Sequence, residues 1–289
     1  MALLRLAALP WFFALFQICS SAHYQNRTAN DILIQSSRDE KASNDHDVFF
    51  QTSSIYEGAS NSHDVYPVSL WRVSNTTLSC EEDLGGSGSL DSVCELDESI
   101  YLNDDSYIKG KGSLILASNV SISCPYRGCV IEINISRDVY MESDSSIVAG
   151  TIIVDARNVQ LAEGSSMNTT ALGGPPPSQT SGTPLGFDGA GGGYGGRGAF
   201  CVKGDSKDQE DAWGGDVYSW SSLSAPWSYG SQGGTTSREE NLGGGGGGRV
   251  FISSTWLNLN GTILADGGYG DVSGGGGSGG SIRIQASVL

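Results

Sequence analysis

The sequence predicts an all-β fold, a parallel β-helix or β-solenoid with glycine-rich turns and one loop insertion. Three observations support this prediction: apolar segments with a two-residue period, a repeated pattern in the middle of the chain, and glycine runs between the apolar segments. Helical content should be near nil, because no window keeps apolar residues at three- and four-residue spacing without Gly, Pro or β-branched interruption.

Glycine runs alternate with short apolar segments from Gly243 to Ile284. We interpret the glycines as turns and the apolar residues two positions apart as strand faces. The pairs are Val250 with Ile252, Leu257 with Leu259, Ile263 with Ala265, and Ile282 with Ile284. Low-complexity disorder is the alternative, but a disordered tail has little reason to keep this alternation.

The N-terminus, residues 1–22, has the parts of a secretory signal peptide. Arg5 precedes an apolar stretch from Leu6 to Ile18, and small residues follow it. A retained membrane anchor is the alternative, but the stretch is shorter than the about 20 residues of a spanning helix and contains Pro10. We therefore expect cleavage after Ala22 and entry into the secretory pathway.

The rest of the chain divides into two regions. Residues 23–79 are rich in Ser, Asn and Asp and predict an irregular polar leader. Residues 80–289 predict a glycine-rich β-solenoid ectodomain with an insertion at about 186–248, where the regular strand pattern lapses. Within it, residues 139–147 recur at 159–167, which indicates one coil of a solenoid. The matched positions are Val139, Met141, Ser145, Ser146 and Ile147 with Val159, Leu161, Ser165, Ser166 and Met167.

Five cysteines remain in the mature chain. Local pairing of Cys80 with Cys94 and of Cys124 with Cys129 is the simplest disulfide framework, because each bond closes a short loop that contains turn residues. Cys201 is left over. A zinc site is the competing interpretation, but the cysteine spacings are not those of zinc sites and the histidines lie far upstream.

Six Asn-X-Ser/Thr sequons agree with secretion. A sequon only permits a glycan, and Asn134 between Ile133 and Ile135 should point away from the apolar face of its strand. The acceptors are Asn26, Asn75, Asn119, Asn134, Asn168 and Asn260.

The formal net charge of -16 argues against nucleic acid and against anionic membrane surfaces as partners. Acidic clusters outside a cell could hold calcium, but no twelve-residue calcium loop is present, so solvated acidic loops are the preferred interpretation. We expect neither a metal nor a cofactor.

Aromatic residues of the insertion are the candidate ligand-binding site. Rings of Trp and Tyr beside acids can stack on sugars, which predicts binding of an extracellular polysaccharide. Packing of the rings against the solenoid flank is the alternative, and it is the commoner use of such rings. The candidates are Trp213, Tyr218, Trp220, Trp227 and Tyr229.

Catalysis is the alternative function, since β-helical polysaccharide lyases and hydrolases use paired carboxylates. The spacing of the candidate acids does not fix an acid and base pair, and no histidine follows His63 to serve a nucleophile. We expect that the chain is not an enzyme. The acids are Asp155, Glu163, Asp188, Asp216 and Asp266.

From Cys80 onward the chain resembles a plant family of large glycine-rich cell-surface proteins. The resemblance implies a signal peptide, a long glycine-rich ectodomain, a cysteine-rich segment, membrane-spanning segments toward the C-terminus and no established biochemical activity. The phrases that carry it include Gly88-Ser-Leu-Asp-Ser-Val-Cys94, Ser146-Ile-Val-Ala-Gly-Thr151, Gly189-Ala-Gly-Gly-Gly-Tyr-Gly-Gly-Arg-Gly198 and Pro226-Trp-Ser-Tyr-Gly230.

The chain ends at Leu289 without the membrane segments of that family, so we expect it to be the N-terminal part of a longer, membrane-anchored protein. The expected function is that of a secreted or cell-surface glycoprotein, a structural or binding ectodomain whose partner is an extracellular polysaccharide or a cell-surface protein. A β-helical carbohydrate-active enzyme remains the alternative.

Overall fold

The computed structural model describes residues 77–182, 189–199, 214–218, 226–235, 242–271 and 274–289, all within one compact unit, Val73–Leu289. The expected signal peptide and the polar leader up to residue 76 lie outside the described residues. So do six of the candidate site residues named above, Asn26, Asn75, Asp188, Cys201, Trp213 and Trp220.

The described residues form an all-β structure without a helix. Apolar residues alternate with polar ones along most strands, and the apolar ones are buried, as a two-residue period requires. The strands are β1 (Ser87–Gly88), β2 (Val93–Leu96), β3 (Ile100–Tyr101), β4 (Ser106–Gly110), β5 (Ser113–Leu116), β6 (Ser121–Cys124), β7 (Val130–Met141), β8 (Ser146–Ala149), β9 (Thr151–Leu161), β10 (Ser166–Asn168), β11 (Arg249–Leu259), β12 (Thr262–Leu264) and β13 (Ser281–Val288).

Two sheets contain all of these strands. Sheet A has the order β1-β2-β5-β7-β9-β11-β13, with β4 paired to the first part of β7. Sheet B has the order β12-β10-β8-β6-β3. Among the described strands, only β1 and β2 pair antiparallel, and every other pair is parallel.

The register of the strands confirms the repeat found in the sequence. Val139 pairs with Val159 in sheet A, and Ile147 pairs with Met167 in sheet B. Side-chain hydrogen bonds across these strands join Asn158 to Asp138, 20 residues away, and Ser113 to Asp138, 25 residues away. Strand β11 departs from the repeat, because it pairs with β9 although the predicted insertion separates the two in sequence.

Inward-facing rows of apolar residues form the core. Ile131, Ile152 and Val250 lie at one level of sheet A on adjacent strands, and each is fully buried. Ile147 and Met167 form a buried row in sheet B. Full burial of one such side chain contributes about 1.5 to 3 kcal/mol, so these rows stabilise the sheets.

The apolar pairs of the C-terminal part fall in or beside strands as predicted, but their burial differs. Val250 and Ile252 of β11 are fully buried. Ile282 and Ile284 of β13 stay 40% and 37% exposed, because β13 is the last strand of sheet A and has a described neighbour on one side only.

Both predicted disulfides are present. Cys80 bonds Cys94 and Cys124 bonds Cys129, with Cα–Cα distances of 5.8 and 6.2 Å. The second bond closes a short turn in which Gly128 has a φ of 73°, a conformation that favours glycine. Disulfides persist in oxidising compartments, which agrees with an extracellular environment.

The prediction that the long glycine runs form turns is wrong. Turn glycines exist, such as Gly128 and Gly164, but the runs lie side by side and bond to one another outside any β-ladder. The amide of Gly244 donates to the carbonyl of Gly275, and the amide of Gly247 donates to that of Ser278, both at 2.9 Å.

These bonds recur at every third residue. Residues 242–248 bond in this way to residues 274–280, to residues 226–235 and to residues 265–271. Three residues per turn is the period of polyproline II chains, whose backbone groups all point outward to neighbours. We call this array the glycine bundle. It comprises residues 189–199, 214–218, 226–235, 242–248, 265–271 and 274–280.

Close approach of backbones explains why the bundle needs glycine. A Cβ added to Gly275 would lie 1.8 Å from the carbonyl oxygen of Ala190, and one added to Gly247 would lie 2.1 Å from that of Ala265. Real atoms cannot approach so closely, so glycine is required there by packing rather than by turn geometry.

Candidate functional site

A groove crosses the outer face of sheet A through the second half of its long strands. It has a volume of about 930 Å³ and is lined by residues of six adjacent strands, β2, β5, β7, β9, β11 and β13. Because neighbouring strands lie about 4.8 Å apart, the groove is about 24 Å long in the direction across the strands. We call it the sheet A groove.

Two rows of outward-facing side chains line the groove, and each row runs across the strands. The first row contains Ile115, Tyr140, Gln160 and Asn258, which are paired in register. The second row contains Ser113, Asp138, Asn158 and Trp256.

An irregularity in the strands decides which side chains face the groove. The even-numbered residues are buried in the first half of β9, whereas odd-numbered residues such as Val159 are buried in its second half. The pairing of β7 with β9 shifts between Ile135 and Asp138, as at a β-bulge. If inward and outward side chains alternated strictly along the whole of β9, the even-numbered Asn158 and Gln160 would point toward the core. The shift in pairing turns both side chains outward instead.

The second row is held together by its own hydrogen bonds. Asp138 accepts from Ser113 Oγ at 3.0 Å and from Asn158 Nδ2 at 2.6 Å. Asp138 is also the one acidic side chain among the described lining residues, which include no Lys or Arg. The carboxylate is thus engaged within the row, and the lining is otherwise uncharged.

The first row keeps its hydrogen-bonding groups free. Within the described residues, the side chains of Tyr140, Gln160 and Asn258 make no hydrogen bond. Trp256 stands beside them with 56% of its surface exposed. Free amide and phenol groups beside an exposed indole suit a polyhydroxylated ligand, because the ring stacks on an apolar sugar face while the amides bond hydroxyl groups.

Of the predicted aromatic residues, Tyr218 is buried inside the glycine bundle with 2% exposure. Its hydroxyl donates to the carbonyl of Tyr229 and lies 3.1 Å from Ser231 Oγ. Its ring packs edge-to-face on Tyr194 at 4.9 Å. Burial raises the pKa of the Tyr218 phenol. The Tyr218 ring therefore fills space between segments of the glycine bundle.

Trp227 and Tyr229 lie on sheet A at the end away from the groove. The guanidinium of Arg249 is 4.5 Å from the Trp227 ring and 3.8 Å from the Tyr229 ring. Arg249 Nη2 donates to the Tyr229 hydroxyl at 2.7 Å, and that hydroxyl lies 2.8 Å from Thr151 Oγ1. We call these four residues the aromatic clamp. Burial lowers the pKa of Arg249, while the nearby Tyr229 opposes this change.

The aromatic clamp fastens residues 226–235 of the glycine bundle to sheet A, and Trp227 also packs edge-to-face on Phe251. The structure therefore brings Trp227 and Tyr229 together around a cation, and it places Tyr218 close behind them. The remaining predicted rings, Trp213 and Trp220, lie outside the described residues.

One acidic residue outside the groove, Glu132, has an altered pKa. Burial raises the pKa of Glu132, Lys109 opposes the rise, and Asp155 adds to it. Glu132 and Asp155 face outward on the neighbouring strands β7 and β9. Asp155 was among the candidate acids of the sequence, whereas Glu132 was not.

The other candidate acids are scattered. Glu163 lies in an exposed turn, and Asp216 lies 3.7 Å from Arg197 Nε in an ion pair. Asp266 belongs to the glycine bundle, and Asp188 lies outside the described residues. In the part of the chain that the structure describes, no group of three or more His, Cys, Asp or Glu is placed to hold a metal ion.

Four predicted glycan acceptors can be placed. Asn119, Asn134 and Asn260 are exposed, and Asn134 points away from the buried Ile133 as predicted. Asn168 is half-buried, and its Oδ1 accepts a hydrogen bond from the amide of Thr170 at 2.9 Å.

Sequence reasoning did not find the groove residues, although part of the signal was present. The repeat that aligns Val139 with Val159 also places Tyr140 beside Gln160 on the opposite face. Trp256 carried no comparable signal, because its pairing with Asn158 depends on how β11 meets β9.

No helix in the described ranges has the length and apolar character needed to cross a bilayer. Comparisons of the chain with models of protein families, with curated proteins and with solved structures return no match.

Proposed function

We propose that this chain is a secreted or cell-surface glycoprotein whose described part is a binding ectodomain for extracellular polysaccharide. The observation that carries the proposal is the sheet A groove, where Tyr140, Gln160 and Asn258 present unused hydrogen-bonding groups beside the exposed Trp256. Its two disulfides and its resemblance to the plant family of glycine-rich cell-surface proteins support an extracellular location.

The proposal includes a β-solenoid architecture in which each coil contributes one strand to sheet A and one to sheet B. The parallel pairing at a 20-residue interval supports it. Because each solenoid coil contacts only its neighbours, deletion of one whole coil, residues 140–159, should leave a folded protein. Deletion of residues 140–149 should break the register and prevent secretion. Equal loss of folding in both deletions would contradict a solenoid.

Binding is tested with the secreted chain from residue 23 to residue 289 on an array of extracellular polysaccharides, with and without calcium. We expect selective binding that is weakened in the double variant Gln160→Ala/Asn258→Ala, which removes free amides of the first row. Lys111→Ala, an exposed change outside the groove lining, is the control and should bind as the parent does. A folded parent that binds no polysaccharide would refute the proposed function.

A carbohydrate-active enzyme is the second candidate, and Glu132 with Asp155 is the observation that favours it. A carboxyl group whose pKa is raised by burial and by a second carboxyl group nearby resembles a glycosidase acid with its partner. If the chain cleaves polysaccharide, new reducing ends should appear and Glu132→Gln should abolish them. Absence of products from every polysaccharide that the parent binds would leave binding as the function.

A further inference from the structure

The charge, the shape and the exposed indole of the sheet A groove together point to one chemical class of ligand. We infer that the groove binds a neutral polysaccharide, which lies across the strands with one sugar ring stacked on Trp256. This inference rests on the proposed function and narrows it, because the described lining makes acidic polysaccharides poor ligands.

Charge is the first argument. Polyuronates and sulfated glycans carry anionic groups, and proteins bind such groups through Arg and Lys. The described lining contains no Arg or Lys, and its one acidic side chain, Asp138, is held in place by Ser113 and Asn158. A polyanion would therefore approach an uncompensated carboxylate on a chain of net charge -16, and both charges would repel it.

Shape is the second argument. The groove extends for about 24 Å across the strands, whereas its two rows span about 7 Å along them, because outward residues of one strand recur every second position. An extended polymer fits this shape better than a compact ligand. Gln160 and Asn258 lie in one row on adjacent strands, so they can bond groups on successive parts of such a polymer.

The position of Trp256 is the third argument. Its indole is 56% exposed, and Val288 lies beside it in register on β13. Asn258 is two residues further along the same strand, on the same outer face. A ring stacked on the indole would thus have its hydroxyl groups within reach of an amide, the combination that distinguishes a sugar from a purely apolar ligand.

The test compares soluble neutral polysaccharides, a xyloglucan and a galactomannan, with polygalacturonate by titration calorimetry at low and high salt. We expect a neutral polymer to bind with an affinity independent of salt, and Trp256→Ala to weaken that binding at least about tenfold. Tyr269→Ala is the matched control, since Tyr269 is a fully exposed aromatic residue outside the groove and its loss should change nothing. Unfolding temperatures of the variants show whether each is folded.

A second variant separates charge from stacking. Asp138→Asn removes the one acidic side chain of the described lining, and polygalacturonate should still fail to bind because that lining contains no Lys or Arg. If Trp256→Ala does not fold, Trp256→Phe keeps an aromatic ring, and a loss of several-fold is then expected from its smaller face.

The outcomes of this test are distinct. Tight, salt-sensitive binding of polygalacturonate, or neutral binding unchanged in folded Trp256→Ala, would overturn this inference and leave the proposed function standing. Failure of a folded parent to bind any polysaccharide would overturn both.

Discussion

Sheet A and the glycine bundle are both built from chains that run side by side, but they pack in opposite ways. Sheet A repeats every two residues and buries side chains, as in the row Ile131, Ile152 and Val250. The bundle bonds every third residue and buries backbone, so that even a methyl group at Gly275 would overlap a carbonyl oxygen. The sheet therefore tolerates change at its outward positions, whereas the bundle tolerates it only where a glycine faces open space.

The comparison also explains where a binding surface can form. Sheet A has an outward face on which side chains vary without loss of the core, and this face carries the groove. In the glycine bundle, glycines such as Gly275 have no room for a side chain, and aromatic residues such as Tyr218 and Tyr229 pack between its segments. Among the described residues, the proposed binding site therefore lies on the sheet, to which the aromatic clamp fastens the bundle.

The largest effect is expected from a substitution that disrupts the side-chain packing of the sheet. Leu161→Ala removes a fully buried side chain and should lower the free energy of unfolding by about 3 kcal/mol, through lost burial and the cavity left behind. Gln160→Ala, its outward neighbour, should change it by less than about 0.5 kcal/mol. Chemical denaturation of both variants measures the difference, and equal effects would mean that the two faces of β9 are not distinct.

The backbone packing of the bundle can be tested with substitutions at two adjacent glycines, of which only one should be disruptive. An added Cβ would lie 1.8 Å from a carbonyl oxygen at Gly275 but 3.9 Å from its nearest atom at Gly276. Gly275→Ala should therefore cost about 2 kcal/mol or more, and Gly276→Ala should be within about 0.5 kcal/mol of the parent. Thermal unfolding of the two variants measures the difference. Equal stability of the two would show that the bundle is not packed as described.

A third change acts where the two regions meet. Arg249→Ala removes the cation between Trp227 and Tyr229 and its hydrogen bond to the Tyr229 hydroxyl, which should cost about 1 to 2 kcal/mol. Arg249→Lys keeps the charge but loses the planar fork and should recover part of the loss. Limited proteolysis should then cut residues 226–235 faster in the alanine variant than in the parent. Unchanged cleavage would argue that the aromatic clamp does not fasten the bundle to the sheet.

The smallest effect depends on pH. Burial raises the pKa of Glu132, so the folded protein holds this proton more tightly than the unfolded chain does. The ionised Glu132 lowers the free energy of unfolding. This cost is absent at pH values below the pKa of Glu132 in the unfolded chain and complete above its raised pKa in the folded protein. Glu132→Gln should thus raise the unfolding temperature slightly at neutral pH and leave it unchanged in acid. Glu98→Gln, at an exposed site, is the control and should show no such difference between the two pH values.

The sequence predicts those features of the structure that arise from residues close together in the chain. The disulfides close short loops, and the repeat aligns residues 20 positions apart, so both could be found from local patterns. The groove could be found only in part. Tyr140 and Gln160 follow from the repeat, but Trp256 reaches the same surface through β11, which returns to β9 after the long insertion.

By itself, then, the sequence determined that the described part is all-β, that apolar residues two positions apart belong to strands and how four cysteines pair, because alternation and loop closure act over short stretches of chain. The tertiary structure alone decided that the glycine runs form a bundle instead of turns and that Trp256 joins Tyr140, Gln160 and Asn258. Glycine permits many backbone conformations, and only neighbouring segments select one of them. Pairing between distant strands likewise depends on contacts that no local pattern encodes.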